Sequence, residues 1–228
     1  IKLKKNTLNL DSIDFKTWLR NHYQNNETQK YFWELILKPS LNDELSSMSS
    51  YAAIMIIKNS ILKPGKSAFG LPKVDLTSLV ESNMKKVLKE TNSKLITGVY
   101  VKRLTEEKDM IQSIDLSNNN KLEVRLIISA VPFYELNHLM KNSKNMLSIL
   151  TKTSQLESAP IVCIHLWLSE KVTDEYYFTV LDSPVQWVFN VSKIRESNSQ
   201  NNQHLVISLS SAWKWVRYDR EKMISLFS

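Results

Sequence analysis

The residues best suited to chemistry lie in one short run, Ile161-Val-Cys-Ile-His-Leu-Trp-Leu168. Read as a strand, its period of two puts Val162, Ile164, Leu166 and Leu168 on one face. Cys163, His165 and Trp167 then line up on the other, with Ile161 at their head. A core needs only the aliphatic row. A thiol, an imidazole and an indole in line could bind, stack on or exchange protons with a ligand, although a core histidine bonded to backbone is the competing reading. A second run, Asp182-Ser-Pro-Val-Gln-Trp-Val-Phe189, turns at Pro184 and alternates Val185, Trp187 and Phe189 with Gln186 and Val188. Large aromatics on one strand face build a core or line a pocket for a greasy or planar ligand.

Other chemistries are poorly served. The four histidines, His22, His138, His165 and His204, are far apart in sequence and share no H-x-x-x-H or C-x-x-C spacing, so no metal site is expected. Cys163 and His165 would point side by side from one strand, without a preset hydrogen bond and with nothing marking an oxyanion hole. No G-x-S-x-G elbow exists. The three glycines, Gly65, Gly70 and Gly98, are scattered singly, so neither G-x-G-x-x-G nor a Walker loop can be drawn. The chain as it stands therefore reads as no self-sufficient nucleotide enzyme, and no side chain can be named as catalytic acid or base.

Composition narrows the class. Of 228 residues, 43% are hydrophobic and 23% charged, an ordinary globular balance. No apolar run nears the roughly 20 residues needed to cross a bilayer. A single cysteine rules out an internal disulfide and suits a reducing, cytoplasmic compartment. The first residue is Ile1, and with glycine so scarce the expectation is a piece of a longer protein. A net charge of +7 and a pI near 9.3 invite an anionic partner. The lysines are spread without an arginine-rich stripe or an RNP-type aromatic strand, so no nucleic acid is expected. A solvated basic surface is the plain reading, and peripheral contact with a membrane surface the alternative.

These runs need elements to position them. Phe15, Trp18, Leu19 and Tyr23 recur at helical spacing after the cap candidates Asp11 and Ser12. A second helix covers Thr28–Lys38, stopped by Pro39. A third runs from Ser47 through Leu62, apolar nearly all round and so buried, ended by Lys63-Pro64-Gly65. Leu76, Leu79, Val80, Val87 and Leu88 mark an amphipathic fourth, to about Thr91. The period then changes. Leu95–Leu104, Met110–Leu116 and Lys121–Ser129 read as strands, the last two joined by the turn Ser117–Asn120. The apolar run Leu126–Ile128 fits a strand entering a covered sheet. Short helices follow near Tyr134–Lys141 and Met146–Thr151. Strands return at Ile161–Leu168, Tyr176–Leu181, Val185–Asn190 and His204–Leu209, with a polar loop at Ser197–Gln203. Trp213 and Trp215 would share a face if extended, and a helix over Arg217–Phe227 closes the chain.

Several of these pieces resemble the flavin amine oxidase and phytoene desaturase superfamily. The stretch Lys94–Phe133 is similar to the middle of its FAD-binding domain: a valine-bearing strand with Val101, a hairpin over Met110–Ser129, then Ala130-Val131-Pro132. Phe15–Leu19, Phe32-Trp-Glu-Leu35 with Leu41-Asn42, Ile161–Leu168 and Asp182–Phe189 are similar to its squalene-associated branch, the hydroxysqualene dehydroxylases. The resemblance covers nearly the whole chain. The superfamily's N-terminal glycine loop and its glycine-containing C-terminal flavin segment are missing from it.

The resemblance implies an FAD-dependent oxidoreductase acting on an isoprenoid hydrocarbon, squalene- or phytoene-type. Its alternatives are an amine- or porphyrinogen-oxidising relative, or a non-catalytic binding module that kept the fold. It implies an α+β fold, in which a helical and mixed-sheet substrate domain accompanies part of an α/β FAD-binding domain. Residues 1–92 would be the helical part of the substrate domain, 93–133 the strand meander of the FAD domain, and 134–228 the substrate-domain sheet and closing helix. Val101, Ala130 and Pro132 would lie at the cofactor. His165, Trp167, Gln186 and Trp187 would line the pocket for a hydrophobic small-molecule substrate. FAD would belong to the full-length protein, and this segment alone is expected not to hold it.

Overall fold

A computed structural model describes residues 10–63, 69–107, 110–140, 143, 145–196 and 202–227. The chain forms two compact units, one from residues 1–80 with 159–228, the other from 81–158. Helices open the first unit. The first, α1 (Phe15–Asn21), is capped by Asp14, which accepts the Thr17 N–H at 2.8 Å. The expected caps Asp11 and Ser12 stand too far back, because a cap must immediately precede the first helical residue to reach its free amides. Asp11 instead accepts the Ser49 hydroxyl.

After α2 (Asn26–Thr28) the helix widens into a π-helical stretch, Gln29–Glu34, and continues as α3 (Leu35–Leu41). Pro39 does not stop it. A proline deletes the bond to the carbonyl four residues back, here Leu35, and that carbonyl accepts the Trp187 indole N–H at 3.1 Å. The helix ends instead at Asn42, in the left-handed region at φ 54°. Helix α4 (Ser50–Ile56), capped by Ser49, also passes into a π-helical stretch, Ile57–Ile61. It is not buried all round: Ser50, Ala53, Ile54 and Ile57 face inward, while Tyr51, Ile61 and Leu62 are exposed. One side meets the core, and the other is left exposed at Tyr51, Ile61 and Leu62. Phe15, Trp18, Leu19 and Leu37 join Ala53, Ile54 and Ile57 in that core, Phe15 stacking on Trp18 at 5.4 Å. Of the expected stop Lys63-Pro64-Gly65, Pro64 and Gly65 lie outside the described residues.

Helix α5 (Leu76–Glu90) carries the chain into the second unit. There β1 (Val101–Glu107), β2 (Met110–Leu116) and β3 (Lys121–Glu123) form an antiparallel meander, with Arg103 opposite Asp115 and paired to it at 2.8 Å. The Ser117–Asn120 turn forms, with Asn119 at φ 64°. The first strand starts only at Val101, and the third stops at Glu123 rather than Ser129. Val124 still donates to Gln112 at 3.0 Å, but beyond it the chain finds no ladder, and Leu126 and Ile128 stand 82% and 87% exposed. An apolar run becomes a strand only where a neighbour supplies a row of partners. Helices α6 (Phe133–Met140) and α7 (Leu147–Thr153) follow, tied by the Thr153 hydroxyl donating to the Asn137 side chain at 2.6 Å.

The first unit resumes with β4 (Val162–Leu168), β5 (Tyr177–Phe178), β6 (Trp187–Asn190), the short α8 (Val191–Ile194), β7 (Gln203–Leu209) and α9 (Arg220–Phe227). The strands form one antiparallel sheet in the order β4-β7-β6-β5. Two buried amides brace its loops. Gln203 accepts the Val172 N–H at 2.9 Å and donates to the Thr173 carbonyl at 2.7 Å. Asn190 caps α8 through Lys193 and donates to the Glu175 carbonyl at 3.1 Å. Leu205, Ile207, Leu209, Val188, Ala212 and Phe227 form a second core under the sheet. Trp213 and Trp215 are not extended: Trp213 lies in a turn, Trp215 opens a 3-10 helix, Trp215–Arg217, and Trp215 meets Phe227 edge-on at 5.4 Å. Most of the loop Ser197–Gln203, residues 197–201, lies outside the described residues. The fold is α+β.

Candidate functional site

Register decides which side chains share a face of the four-stranded sheet. Cys163 lies opposite Ser208, and Ser208 opposite Trp187; His165 lies opposite Val206, Val206 opposite Phe189, and Phe189 opposite Tyr177. Trp167 faces His204. All therefore project from one side, because opposed residues in a ladder point the same way. The other side carries the aliphatic rows that make the core, so this side is left for other uses.

Its two ends differ in character. At one, Tyr177, Trp187 and Phe189 form an aromatic triangle with ring centroids 5.8–6.4 Å apart, and Phe69 adds a fourth ring 5.1 Å from Tyr177. At the other, Trp167 lies parallel to His204 at 4.7 Å and 73% exposed. His165 Nδ1 stands 3.0 Å from His204 Nε2, while the ring centroids are 5.3 Å apart. The difference is about two ring radii, so both nitrogens lie on the line joining the rings. That is the geometry of one imidazole N–H donating to the other's lone pair. Burial, then the neighbouring His165 and Arg195, hold the His204 pKa below its ordinary value.

Trp187 also walls a cleft of about 310 Å³, with Tyr31, Leu35, Pro39 and Val185 around it. At its mouth sits Asp182, in the left-handed region at φ 56°, paired with Lys30 and accepting the Tyr31 hydroxyl at 2.9 Å. The Lys30 hydrogen bond, then that of Tyr31, hold the Asp182 carboxyl below the usual range; the same contact raises Lys30. The cleft's two acids, Asp182 and Glu34, are thus each paired with a base, Lys30 and Lys38, which leaves walls suited to an uncharged ligand. Gln186 lines this cleft too, but its amide is committed: it donates to the Ser210 carbonyl at 3.1 Å and accepts the Ser210 N–H at 2.8 Å.

The structure therefore puts Trp187, His165 and Trp167 on one sheet face and sets Gln186 just before β6, bound to the neighbouring backbone. Tyr177, His204, Lys30 and Tyr31 belong with them but carry no sequence motif, whereas Phe189 shares a strand face with Trp187 by its spacing alone. Only the register makes His204 visible. Of the expected cofactor residues, Val101 begins β1 in the second unit, opposite Leu116. Ala130 is exposed in the segment between β3 and α6, and Pro132 accepts the Leu136 N–H at 3.0 Å where α6 begins. Among the described residues no three His, Cys, Asp or Glu side chains converge as metal ligands. No helix among them is long and apolar enough to cross a membrane.

The family of flavin containing amine oxidoreductases matches residues 2–226. The chain belongs to that family. Among solved structures, an oxidoreductase from Methanosarcina mazei shares its fold with a TM-score of 0.78 at 14% identity, over 94% of this chain and 50% of that one. An Exiguobacterium protein with a provisional protoporphyrinogen oxidase assignment gives 0.68 at 12%, over 98% and 55%. A putrescine oxidase double mutant redesigned in cofactor binding gives 0.70 at 14%, over 98% and 50%. This chain thus spans about half the length of these structures. No curated protein matches it. Against the flavin the family name carries, the second unit fits in part. Residues 125–131 make no backbone–backbone hydrogen bond among the described residues, and Ala130 among them is exposed. The two described glycines, Gly70 and Gly98, have open space around them and form no phosphate cradle.

Proposed function

We propose that this flavin containing amine oxidoreductase chain is the central and substrate-binding portion of an FAD-dependent oxidoreductase whose substrate is a hydrophobic isoprenoid of the squalene or phytoene type. The observation that carries the reading is the half-open aromatic face Tyr177–Trp187–Phe189, with the charge-matched cleft beside it. A polyene has no group for a fixed charge to grip and is recognised by rings and aliphatic walls. The His165–His204 pair and Trp167 supply the polar end of that face. In this reading residues 93–133 are the meander of the FAD domain, and residues 1–92 with 134–228 form the substrate domain.

FAD, when bound, supplies the two-electron chemistry. The backbone of Val101 would meet its adenine end and Ala130 and Pro132 would lie close to it, while the pyrophosphate cradle would come from elsewhere in the protein. The basic balance of the chain suits delivery of an insoluble substrate from an anionic membrane surface.

The test is a longer protein carrying a strand and a G-x-G-x-x-G turn ahead of this chain, purified and examined for bound flavin and then for turnover. Flavin reduction and product formation with squalene-type substrates is the expected result. Turnover of amines or porphyrinogens instead would overturn the substrate, and absence of flavin would overturn the enzyme reading in favour of a binding module.

A further inference from the structure

Strands β4 and β7 pair from Val162 to Leu168 without a register shift, which fixes the backbones beneath their side chains. Across that pairing His165 Nδ1 and His204 Nε2 stand 3.0 Å apart, although 39 positions separate the two residues in the chain. Two imidazoles on one transition-metal ion, each bond about 2.0–2.1 Å long, hold their nitrogens about 2.8–3.4 Å apart as the angle opens from square to tetrahedral. The bite of this pair already falls in that range. The hydrogen bond and a metal differ in where the lone pairs point: in line for the proton, to a shared corner for the ion. His165 is exposed and His204 half-buried, so turning the rings about their side-chain bonds makes that corner without moving either strand.

We propose that His165 and His204 form a two-histidine site for a divalent transition-metal ion, with copper(II), nickel(II) and zinc(II) the fitting members. No side chain has to ionise for it. A neutral imidazole carries its proton on either nitrogen, so the N–H that bridges the pair moves to the far nitrogen of its own ring and frees the lone pair. Burial, then His165 and Arg195, hold the His204 pKa below its ordinary value, which keeps that ring neutral at neutral pH. The donor set selects the ion. Among the described residues no third His, Cys, Asp or Glu converges on the pair, so water fills the remaining positions. Nitrogen donors without a carboxylate suit copper, nickel and zinc; magnesium and calcium take oxygen and find none here. Arg195, whose charge reaches His204, opposes any ion held by charge alone. Trp167, its ring centroid 5.6 Å from His165 and 4.7 Å from His204, stands beside the site as a reporter. This inference goes beyond the proposed function and depends on neither flavin nor substrate.

The test titrates the 228-residue chain, produced without a histidine tag, with the chloride of each metal in turn. Copper(II) is expected to bind at the pair more tightly than nickel(II) or zinc(II), and magnesium and calcium not to bind there. His165→Gln and His204→Gln should each weaken copper binding by at least about tenfold, since even changes around a ligand cost that much. The double variant should lose little more than either single one, because a lone imidazole is no chelate. Trp167→Phe should keep the affinity and remove the saturable quenching of tryptophan fluorescence by copper. Circular dichroism checks that the variants fold. In the unsubstituted chain the imidazole nitrogen resonances read the site directly, and zinc(II) should shift those of both rings together. Copper binding that survives either histidine substitution, zinc that shifts only one ring, or quenching that Trp167→Phe leaves unchanged overturns the proposal. A chain that binds no copper at micromolar concentration overturns it equally.

Discussion

The indole N–H of Trp187 donates to the main-chain carbonyl of Leu35 at 3.1 Å, joining the sheet to the helix that contains Pro39. The proline leaves that carbonyl without its helical partner, and the tryptophan takes it. One residue that should break a helix thereby anchors the wall of the cleft.

Trp187→Phe keeps the ring and removes the donor, which should destabilise the chain by about 1–3 kcal/mol. In a Pro39→Ala background the helix supplies its own N–H, and the same substitution should cost roughly 1 kcal/mol less. Urea unfolding of the four proteins in the cycle measures the coupling. A coupling of zero would mean that Pro39 and Trp187 do not share the Leu35 carbonyl.

The one-sided burial of α4 makes a second prediction. Ile54→Ala should cost about 2–5 kcal/mol and Phe15→Ala about 3–5 kcal/mol, because each leaves a cavity in the helical core. Tyr51→Ala, on the exposed side, should stay within about 0.5 kcal/mol of the parent. Equal losses at Tyr51 and Ile54 in thermal unfolding would restore the view of a helix buried all round.

Acidification should act through His204. Its folded pKa lies below the ordinary 6.5, so the unfolded chain takes up the proton first. The stability it contributes is complete above pH 6.5, is lost as pH falls below that value, and levels off beneath the folded pKa. His204→Leu should flatten this part of the urea midpoint against pH. An unchanged profile in the variant would assign the dependence to other groups.

Ligand charge can be read at Lys30. For an apolar ligand, Lys30→Ala should leave affinity nearly unchanged, since exposed ion pairs contribute little. Phe189→Ala, which removes one ring of the triangle, should weaken it by roughly threefold to tenfold. A cationic amine would behave oppositely at Lys30, gaining affinity as Asp182 is freed. Titration with a polyene analogue and a diamine separates the two cases.

Much of this was legible in the sequence where local pattern decides the outcome. The β2 strand, the Asn-rich turn, the alternation of Val162–Leu168 and the amphipathic run Leu76–Glu90 need only their own residues. What escaped depends on distant partners. Pro39 reads as a stop until a tryptophan far along the chain takes up the Leu35 carbonyl. Leu126–Ile128 reads as a strand because its composition says nothing of whether a neighbour exists. His165 and Trp167 could be placed on one strand face, but His204 joins them only through the register of β7. Gln186 lines the cleft, but that its amide holds the Ser210 backbone depends on a partner the sequence does not mark.

Cys163 is the sole cysteine in the sequence, and its thiol is exposed on the same face as His165 and Trp187. This chain thus carries a single built-in attachment point for a reporter dye, beside the surface where a ligand would lie. Alkylation there would be stoichiometric without mutagenesis, and its rate would slow as the face filled.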